Sequence, residues 1–179
     1  MTELFPSAIR AWAITAVPYD SPSARRLTRA LHREQVATYG RADAPEATPA
    51  EDFAPPNGVF LVAAGSDGIA LACGGWRAAG STTAEVKRMY VTPAARGRGI
   101  GRRLLAALEQ DACLHGMTKV ILETGVSNHA ALALYTACGY ARVEPYVAGR
   151  DPRINRALSK VLPRLREANE WQGGLTGDL

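Results

Sequence analysis

The sequence predicts an α/β fold in which helices flank a mixed β-sheet. Short apolar runs of strand character alternate with segments whose apolar residues recur at helical spacing. One of these helices joins two central strands, a connection typical of a parallel pair. The chain has 179 residues, 47% of them hydrophobic, which is enough for a sizeable core. We therefore predict one domain over residues 1–162 and a polar tail over residues 163–179.

Turn and cap residues set the boundaries of the elements. Ser21 followed by Pro22 is typical of a helix start, and Thr48 with Glu51 has the spacing of a capping box, which predicts a further short helix. The predicted helix ends each have a glycine, namely Gly40, Gly116 and Gly139. The first helix has a rough apolar stripe of Ala24, Leu27, Leu31 and Val36. The predicted strands cover residues 9–17, 59–64, 69–76, 84–91, 119–124, 140–143 and 154–161, and the main helices cover residues 22–39, 100–115 and 129–138.

Composition and charge exclude several classes of protein. No apolar run of about 18 residues is present to cross a membrane, and the first ten residues lack the apolar region of a signal peptide, so we expect a cytoplasmic protein. Three cysteines without a C-x-x-C pair and three histidines without ligand spacing predict no metal site. The net charge is +4, but no aromatic platform accompanies the arginines, so nucleic acid is not the expected partner.

A glycine loop with several arginines, residues 96–103, lies between a predicted strand and a predicted helix. The first N–H groups of a helix have no intrahelical acceptor, and glycines let an anion approach them closely, so the loop is suited to a phosphate. It lacks the G-K-[ST] ending of nucleoside-triphosphate loops, and Arg102 stands where a dinucleotide loop has its third glycine. Both of those phosphate-binding classes are therefore disfavoured.

Two motifs indicate which phosphate ligand remains. Arg96, Gly99 and Gly101 fit R-x-x-G-x-G after the strand, and residues 128–140 read N-H-A-A-L-A-L-Y-T-A-C-G-Y. Together they resemble the GCN5-related N-acetyltransferase (GNAT) superfamily, whose second segment follows N-x-x-A-x-x-L-Y-x-x-x-G-[FY]. The resemblance is sharp over residues 84–140 and weak at both ends of the chain.

The resemblance implies a central sheet with splayed parallel strands and a site for acetyl-CoA as the cosubstrate. In the family, the loop amides hold the pyrophosphate, and the strand before the loop pairs its free backbone groups with the pantetheine. An unpaired strand edge favours such a partner on physical grounds as well. The implied binding residues are Met89, Tyr90, Val91, Arg96, Gly97, Arg98, Gly99, Ile100, Gly101, Arg102 and the helix-capping Asn128.

The same resemblance implies the catalytic groups. Tyr135 is at the family position that protonates the departing thiolate, and a backbone N–H near Met89 would stabilise the oxyanion. The base that takes the proton of the amine is left open between Glu85 and Glu123. Glu85 begins the cofactor strand and shares a face with Lys87 and Met89, whereas Glu123 lies near the carboxyl end of the next strand. Either glutamate could instead be a structural carboxylate paired with a neighbouring cation.

These motifs predict an N-acetyltransferase that passes the acetyl group of acetyl-CoA to a primary amine of a small molecule or a protein, by direct attack in a ternary complex. The alternatives are an acetyl-Cys138 intermediate and a non-catalytic acetyl-CoA-binding regulatory domain. Acidic residues before the second strand either receive a cationic amine or form a solvated loop: Glu34, Asp43, Glu46, Glu51 and Asp52. Near the tail, apolar side chains offer a docking helix or a homodimer contact: Leu162, Leu165 and Trp171.

Overall fold

The computed structural model describes residues 12–163, which form a seven-stranded mixed sheet with helices against both faces. The main elements in chain order are β1 (Trp12–Ala16), α1 (Pro22–Tyr39), β2 (Gly58–Gly65), β3 (Ala70–Ala78), β4 (Thr83–Val91), α2 (Ile100–Leu114), β5 (Lys119–Gly125), α3 (His129–Ala137), β6 (Ala141–Val143) and β7 (Asn155–Val161). Three short 3₁₀ turns lie at Pro45–Ala47, Ala50–Phe53 and Pro93–Ala95. The predicted α/β class and order of elements are confirmed. The start of the first predicted strand and the apolar tail residues Leu165 and Trp171 lie outside the described residues.

Local sequence signals account for the ends of the helices. The Ser21 Oγ accepts a hydrogen bond from the Ala24 N–H at 3.4 Å at the start of α1, and Gly40 ends this helix with a φ of 76°. Asn128 caps α3 in the same way, since its Oδ1 accepts from the Ala131 N–H at 3.2 Å. Of the helices that residues 12–163 form, none has both the length and the apolar content to cross a membrane.

Two local predictions are wrong. The apolar stripe predicted for α1 includes Val36, but that side chain is 38% exposed, and Thr28 takes a buried place instead. Thr28 is accommodated because its hydroxyl donates to a carbonyl of the preceding turn at 2.9 Å. The capping box predicted at Thr48 does not form, because the short turn has Pro49 as its N-cap and no side-chain cap. The Thr48 hydroxyl oxygen accepts a hydrogen bond from Arg88 instead.

The strands are arranged in the order β1-β2-β3-β4-β5-β7-β6, and β4 with β5 is the parallel pair of the described sheet. This pairing is short, because it covers three residue pairs and ends at Glu85 opposite Ile121. β5 nevertheless continues alongside β7 as far as Gly125. The two parallel strands therefore diverge, and we call the gap between residues 86–91 and residues 122–125 the splay.

Alternate residues of the strands fill two cores, one on each face of the sheet. The larger core packs against α2 and α3, and we call this side the α2 face. It includes Trp76, whose indole N–H donates to Asp111 Oδ1 of α2 at 2.7 Å. The smaller core packs against α1 on the opposite side, the α1 face, and contains three mutually contacting aromatic rings, those of Tyr19, Phe53 and Phe60.

A β-bulge in β4 changes which residues share a face. In the stretch opposite Gly74, β4 has one residue more than its partner β3. Arg88 lies in this bulge, and its backbone adopts the left-handed conformation with a φ of 59°. The Met89 side chain consequently packs on the α2 face beside Gly74. The prediction that Met89 shares a face with Glu85 and Lys87 is therefore wrong.

Gly58, the first residue of β2, lies where no side chain fits. A Cβ at this position would stand 2.1 Å from the Trp76 carbonyl oxygen and 2.6 Å from the Asp52 carbonyl oxygen. We expect Gly58→Ala to lower the free energy of unfolding by about 3 kcal/mol, because backbone must move to admit the methyl group. Urea unfolding of Gly58→Ala tests this packing. Gly101→Ala is the control variant, since a Cβ at Gly101 has its nearest neighbours at an ordinary 3.5 Å. Equal unfolding midpoints for the two variants would contradict it.

Candidate active site

Backbone N–H groups converge at the start of α2, where the predicted phosphate loop lies. Gly97 and Gly99 both have a φ of 74°, a conformation that glycine adopts without strain. The first helical hydrogen bond runs from the Arg103 N–H to the Gly99 carbonyl at 3.2 Å, so the N–H groups of Ile100 to Arg102 have no acceptor within the helix. No side chain caps them either. The loop therefore has the geometry of an anion site.

The Arg96 side chain braces this loop against β4 and α1. Its Nε donates to the Val91 carbonyl at 3.0 Å, and a terminal nitrogen donates to Glu34 at 2.8 Å. The Tyr90 hydroxyl donates to the same carboxylate at 2.9 Å. Arg96 thus has its side chain committed to the protein. The other arginines predicted to bind there are exposed and form no salt bridge within the described residues: Arg98 and Arg102.

The end of β4 presents to the splay an edge that no strand pairs, although the Val91 carbonyl on it accepts the hydrogen bond from Arg96 Nε. The Thr92 N–H donates to the Leu71 carbonyl of β3 at 2.8 Å, so the backbone groups of Val91, one residue earlier, point the other way. No strand of the described sheet lies against that side, because the pairing with β5 ends at Glu85. An extended chain with amide groups could lie along this edge and form hydrogen bonds as a strand does.

Glu85 is buried on the α1 face, at the point where β4 and β5 separate. Its carboxylate accepts from three donors: Arg77 Nε at 2.9 Å, Lys87 Nζ at 3.2 Å and the Tyr146 hydroxyl at 3.3 Å. Burial and the charge of Glu85 raise the pKa of Tyr146 above its ordinary value, so this phenol stays protonated and can donate. The carboxylate of Glu85 is therefore fully engaged within the protein.

Glu123 lies two residues beyond Ile121 on the same face of β5, beside the splay. Its Oε2 stands 3.4 Å from Arg150 Nε, and its Oε1 is buried without a hydrogen-bond partner among the described residues. Burial raises the pKa of this carboxyl, although the charges of Arg150 and Lys87 oppose the shift. A carboxylate with a raised pKa and a free oxygen is suited to accept a proton.

Tyr135 lies in the core of the α2 face against Tyr140, with the ring centroids 5.7 Å apart. Its hydroxyl makes no hydrogen bond with residues 12–163, whereas the Tyr140 hydroxyl donates to Glu109 at 2.9 Å. Burial raises the pKa of Tyr135 above its ordinary value, which keeps the phenol protonated. A protonated hydroxyl without a partner in the protein is suited to donate a proton.

A cavity of about 540 Å³ opens on the α1 face beside Glu85. The segment between β6 and β7 closes one side of it, since Tyr146 reaches Glu85 and Arg150 reaches both Asp43, at 2.5 Å, and Glu123. Neither Tyr146 nor Arg150 is predicted from the sequence. Only the tertiary path of their loop brings them to the cavity, and no motif or spacing signals that path.

The acidic residues predicted on the acceptor side are mostly paired with arginines. The four pairs are Glu34 with Arg96, Asp43 with Arg150, Glu46 with Arg29, and Asp52 with Arg77, and their N–O distances lie between 2.5 and 2.8 Å. The ion pairs of Asp43, Glu46 and Asp52 therefore attach the stretch between α1 and β2 to the rest of the protein. One of the two interpretations of these acidic residues requires a free anionic patch that could receive a cationic amine, and this stretch does not offer one.

Residues 24–140 match the model of the acetyltransferase (GNAT) family. This match covers more than half of the chain and includes the phosphate loop, both candidate glutamates and Tyr135. The chain belongs to the acetyltransferase (GNAT) family. The predicted family is thus confirmed. The GNAT match ends at Tyr140, so Tyr146 and Arg150 come from a part of the chain that the family model does not cover.

Several curated relatives of this GNAT chain have acetyltransferase names. The chain is 48% identical over 69 residues to an IAA acetyltransferase of Azospirillum brasilense, covering 38% of this chain and 45% of that protein. It is 31% identical over 118 residues to an uncharacterized N-acetyltransferase of Schizosaccharomyces pombe, covering 65% of this chain and 72% of that protein. The aligned region therefore spans less than half the length of the Azospirillum relative.

Solved structures share the fold of the GNAT chain. A Klebsiella pneumoniae protein assigned to the acyl-CoA N-acyltransferases superposes with a TM-score of 0.73 at 28% identity, covering 85% of this chain and 98% of that one. A GNAT-family acetyltransferase from Staphylococcus aureus superposes with a TM-score of 0.69 at 17% identity, covering 84% and 100%. At 17% identity, the similarity to the Staphylococcus aureus structure shows a shared fold alone.

Proposed function

We propose that this chain transfers the acetyl group of acetyl-CoA to a primary amine by direct attack in a ternary complex. The observation that carries the proposal is the junction of two features, the unpaired edge of β4 at the splay and the free N–H groups at the start of α2. An amide-bearing arm joined to a diphosphate requires these two features side by side. The family and the acetyltransferase names of the relatives support the same reaction.

The residues at this junction fit such a donor. The N–H groups from Ile100 to Arg102 would hold the diphosphate, and the positive end of the α2 dipole would favour its charge. Nothing lies within 4 Å of the position where Gly97 or Gly99 would have a Cβ, so a diphosphate can reach the backbone. The exposed guanidinium of Arg98 would add a counter-charge.

We assign the general base to Glu123 and a positioning role to Glu85. Glu123 has a free buried oxygen beside the splay, whereas Glu85 is engaged by Arg77, Lys87 and Tyr146. The ammonium of the acceptor would lose its proton to Glu123 Oε1, directly or through water, which frees the nitrogen lone pair to attack the acetyl carbonyl. Glu85 would hold its two cations in place on the wall of the cavity.

Further groups complete the proposed mechanism. A backbone N–H near Met89 in β4 would stabilise the oxyanion that forms on attack. Attack forms the C–N bond together with this oxyanion, and collapse of the intermediate re-forms the carbonyl and breaks the C–S bond. Tyr135 would give its proton to the departing thiolate, since its hydroxyl has no competing partner among the described residues, and the proton that the nitrogen loses on becoming an amide would restore the phenol through water. The backbone groups of Val91, which face the splay, and the side chain of Asn128 would bind the pantetheine arm. The backbone groups of Tyr90 face β3 instead, so this predicted binding residue would not take part through its backbone.

Charge reversal in the loop tests the donor site. We expect Arg98→Glu to weaken acetyl-CoA binding about tenfold, because it removes a counter-charge to the diphosphate and adds a repulsive one. Arg142→Glu, at an exposed position of the edge strand β6, makes the same change in net charge and is the matched control. Isothermal titration at low salt gives both dissociation constants. Equal constants for the two variants would contradict the placement of the diphosphate.

The reaction itself is tested by the release of free thiol from acetyl-CoA in the presence of a panel of primary amines. Release that depends on the amine supports the proposed transfer. Tight binding of acetyl-CoA without release in the presence of any amine would favour the non-catalytic binding domain.

A further inference from the structure

The cavity on the α1 face has more free hydrogen-bond donors than free acceptors. Its charged lining residues are three cations and two carboxylates, namely Arg77, Lys87, Arg150, Asp43 and Glu85. Both carboxylates are already engaged, Glu85 by three donors and Asp43 by Arg150. Arg77 is likewise engaged, by Glu85 and by Asp52, so the unused donors of the cavity wall belong to Lys87 and Arg150.

Lys87 and Arg150 keep donors that the protein does not use. An ammonium has three N–H donors, and Lys87 bonds to Glu85 alone, at 3.2 Å. A guanidinium has five N–H donors, and Arg150 uses one on Asp43 and directs its Nε towards Glu123 at 3.4 Å. The side chains of Lys87 and Arg150 are 23% and 32% exposed, so both are partly withdrawn from water. Two such cations in one cavity form a site for an anion.

Glu123 supplies the complementary group. Its side chain is only 13% exposed, and its Oε1 has no hydrogen-bond partner among the described residues. Ile121, two residues earlier on the same face of β5, lines the cavity, which places Glu123 beside it. A ligand that satisfies the whole site must bring an N–H donor to Glu123 and an anionic group to Lys87 and Arg150.

We propose that the acetyl acceptor is a small amino acid, whose carboxylate binds Lys87 and Arg150 while its primary amine faces Glu123. This inference rests on the proposed function and names the substrate class of that same site. The cavity volume of about 540 Å³ is within the range of small-molecule sites. A polyamine is disfavoured, because the carboxylates that would bind it are already paired with arginines.

Matched acceptors that differ only in the carboxylate test the proposal. The pairs are 4-aminobutyrate with butylamine and L-alanine with L-alaninamide, and spermidine represents the polyamines. In at least one pair, we expect kcat/KM to be about 10- to 100-fold higher for the member with the carboxylate, which is the gain that one or two charge-assisted hydrogen bonds provide.

Substitution of Lys87 tests which residue is responsible. We expect Lys87→Met to reduce the preference, read as the ratio of the two kcat/KM values, to within about threefold, because any effect of the lost charge on Glu123 acts on both members of the pair alike. Lys119→Met, at an exposed position at the start of β5, is the matched control and should keep the full preference. If thermal melting shows that Lys87→Met folds poorly, Lys87→Gln replaces it.

The possible results separate the acceptor class from the reaction. A preference for the carboxylate that is lost in Lys87→Met and kept in Lys119→Met supports the proposal. Equal use of the paired acceptors, or a preference for spermidine, overturns the amino-acid acceptor and leaves the acetyl transfer standing. Binding of acetyl-CoA without transfer to any amine of the panel overturns both.

Discussion

Replacing Glu123 with glutamine is expected to lower kcat about a hundredfold or more, the loss typical of removing a general base. The amide keeps the shape of the side chain but cannot take the proton of the acceptor ammonium. KM for acetyl-CoA should change little, because the proposed diphosphate site lies at the start of α2 and does not include Glu123. Steady-state kinetics with each substrate varied in turn measure both constants. A kcat within about threefold of the unsubstituted enzyme would contradict the assignment.

The pH dependence of this variant sharpens the test. Burial raises the pKa of Glu123, and only the deprotonated carboxylate can accept a proton, so the rate should rise as the pH increases through that raised pKa. Glu123→Gln should lose this acidic limb. Glu85→Gln is the matched control, because it weakens the contacts with Arg77 and Lys87 and should lower stability while the acidic limb remains. The opposite pattern would transfer the base to Glu85.

Replacing Tyr135 with phenylalanine is expected to lower kcat by about a hundredfold, while the free energy of unfolding changes by less than about 0.5 kcal/mol. The fold should lose little, because the hydroxyl has no hydrogen-bond partner among residues 12–163. The departing thiolate, in contrast, would lose its proton donor. Turnover of acetyl-CoA and urea unfolding, measured on the same preparation, separate the two effects.

Tyr140→Phe is the matched control for this substitution. The Tyr140 hydroxyl donates to Glu109 at 2.9 Å, and Lys160 donates to the other oxygen of that carboxylate at 2.6 Å. Removing this hydroxyl should cost about 1 kcal/mol of stability and leave kcat unchanged. If both variants instead lost stability alike and kept their activity, Tyr135 would be a packing residue of the apolar stripe of α3.

The parts of the fold that have local signals could be predicted from the sequence. α1 begins behind the capping Ser21 and ends at Gly40, and the helix between β4 and β5 is the kind of crossover that a parallel pair of strands needs. The bulge in β4 could not be predicted, because its left-handed residue is Arg88, and arginine is not one of the residue types that favour this conformation. The consequence is that Met89 lies on the α2 face.

The candidate site also has one part that could be predicted from local sequence signals and one part that could not. The phosphate loop could be predicted because its glycines and the start of α2 lie within one short segment. The acceptor side could not, because its contacts join distant parts of the chain: Arg77 with Asp52, 25 residues apart, and Arg150 with Asp43, 107 residues apart. Spacing carries no signal for such pairs, and yet they determine which charges remain free in the cavity.

Mass spectrometry of the acceptor after incubation with acetyl-CoA tests the central claim most directly. The proposed reaction predicts an N-acetylated amine and one free CoA thiol for each amide formed, with both greatly reduced in Glu123→Gln. Acetyl-CoA that binds tightly, while no amine becomes acetylated and no thiol is released, would contradict the proposed transfer.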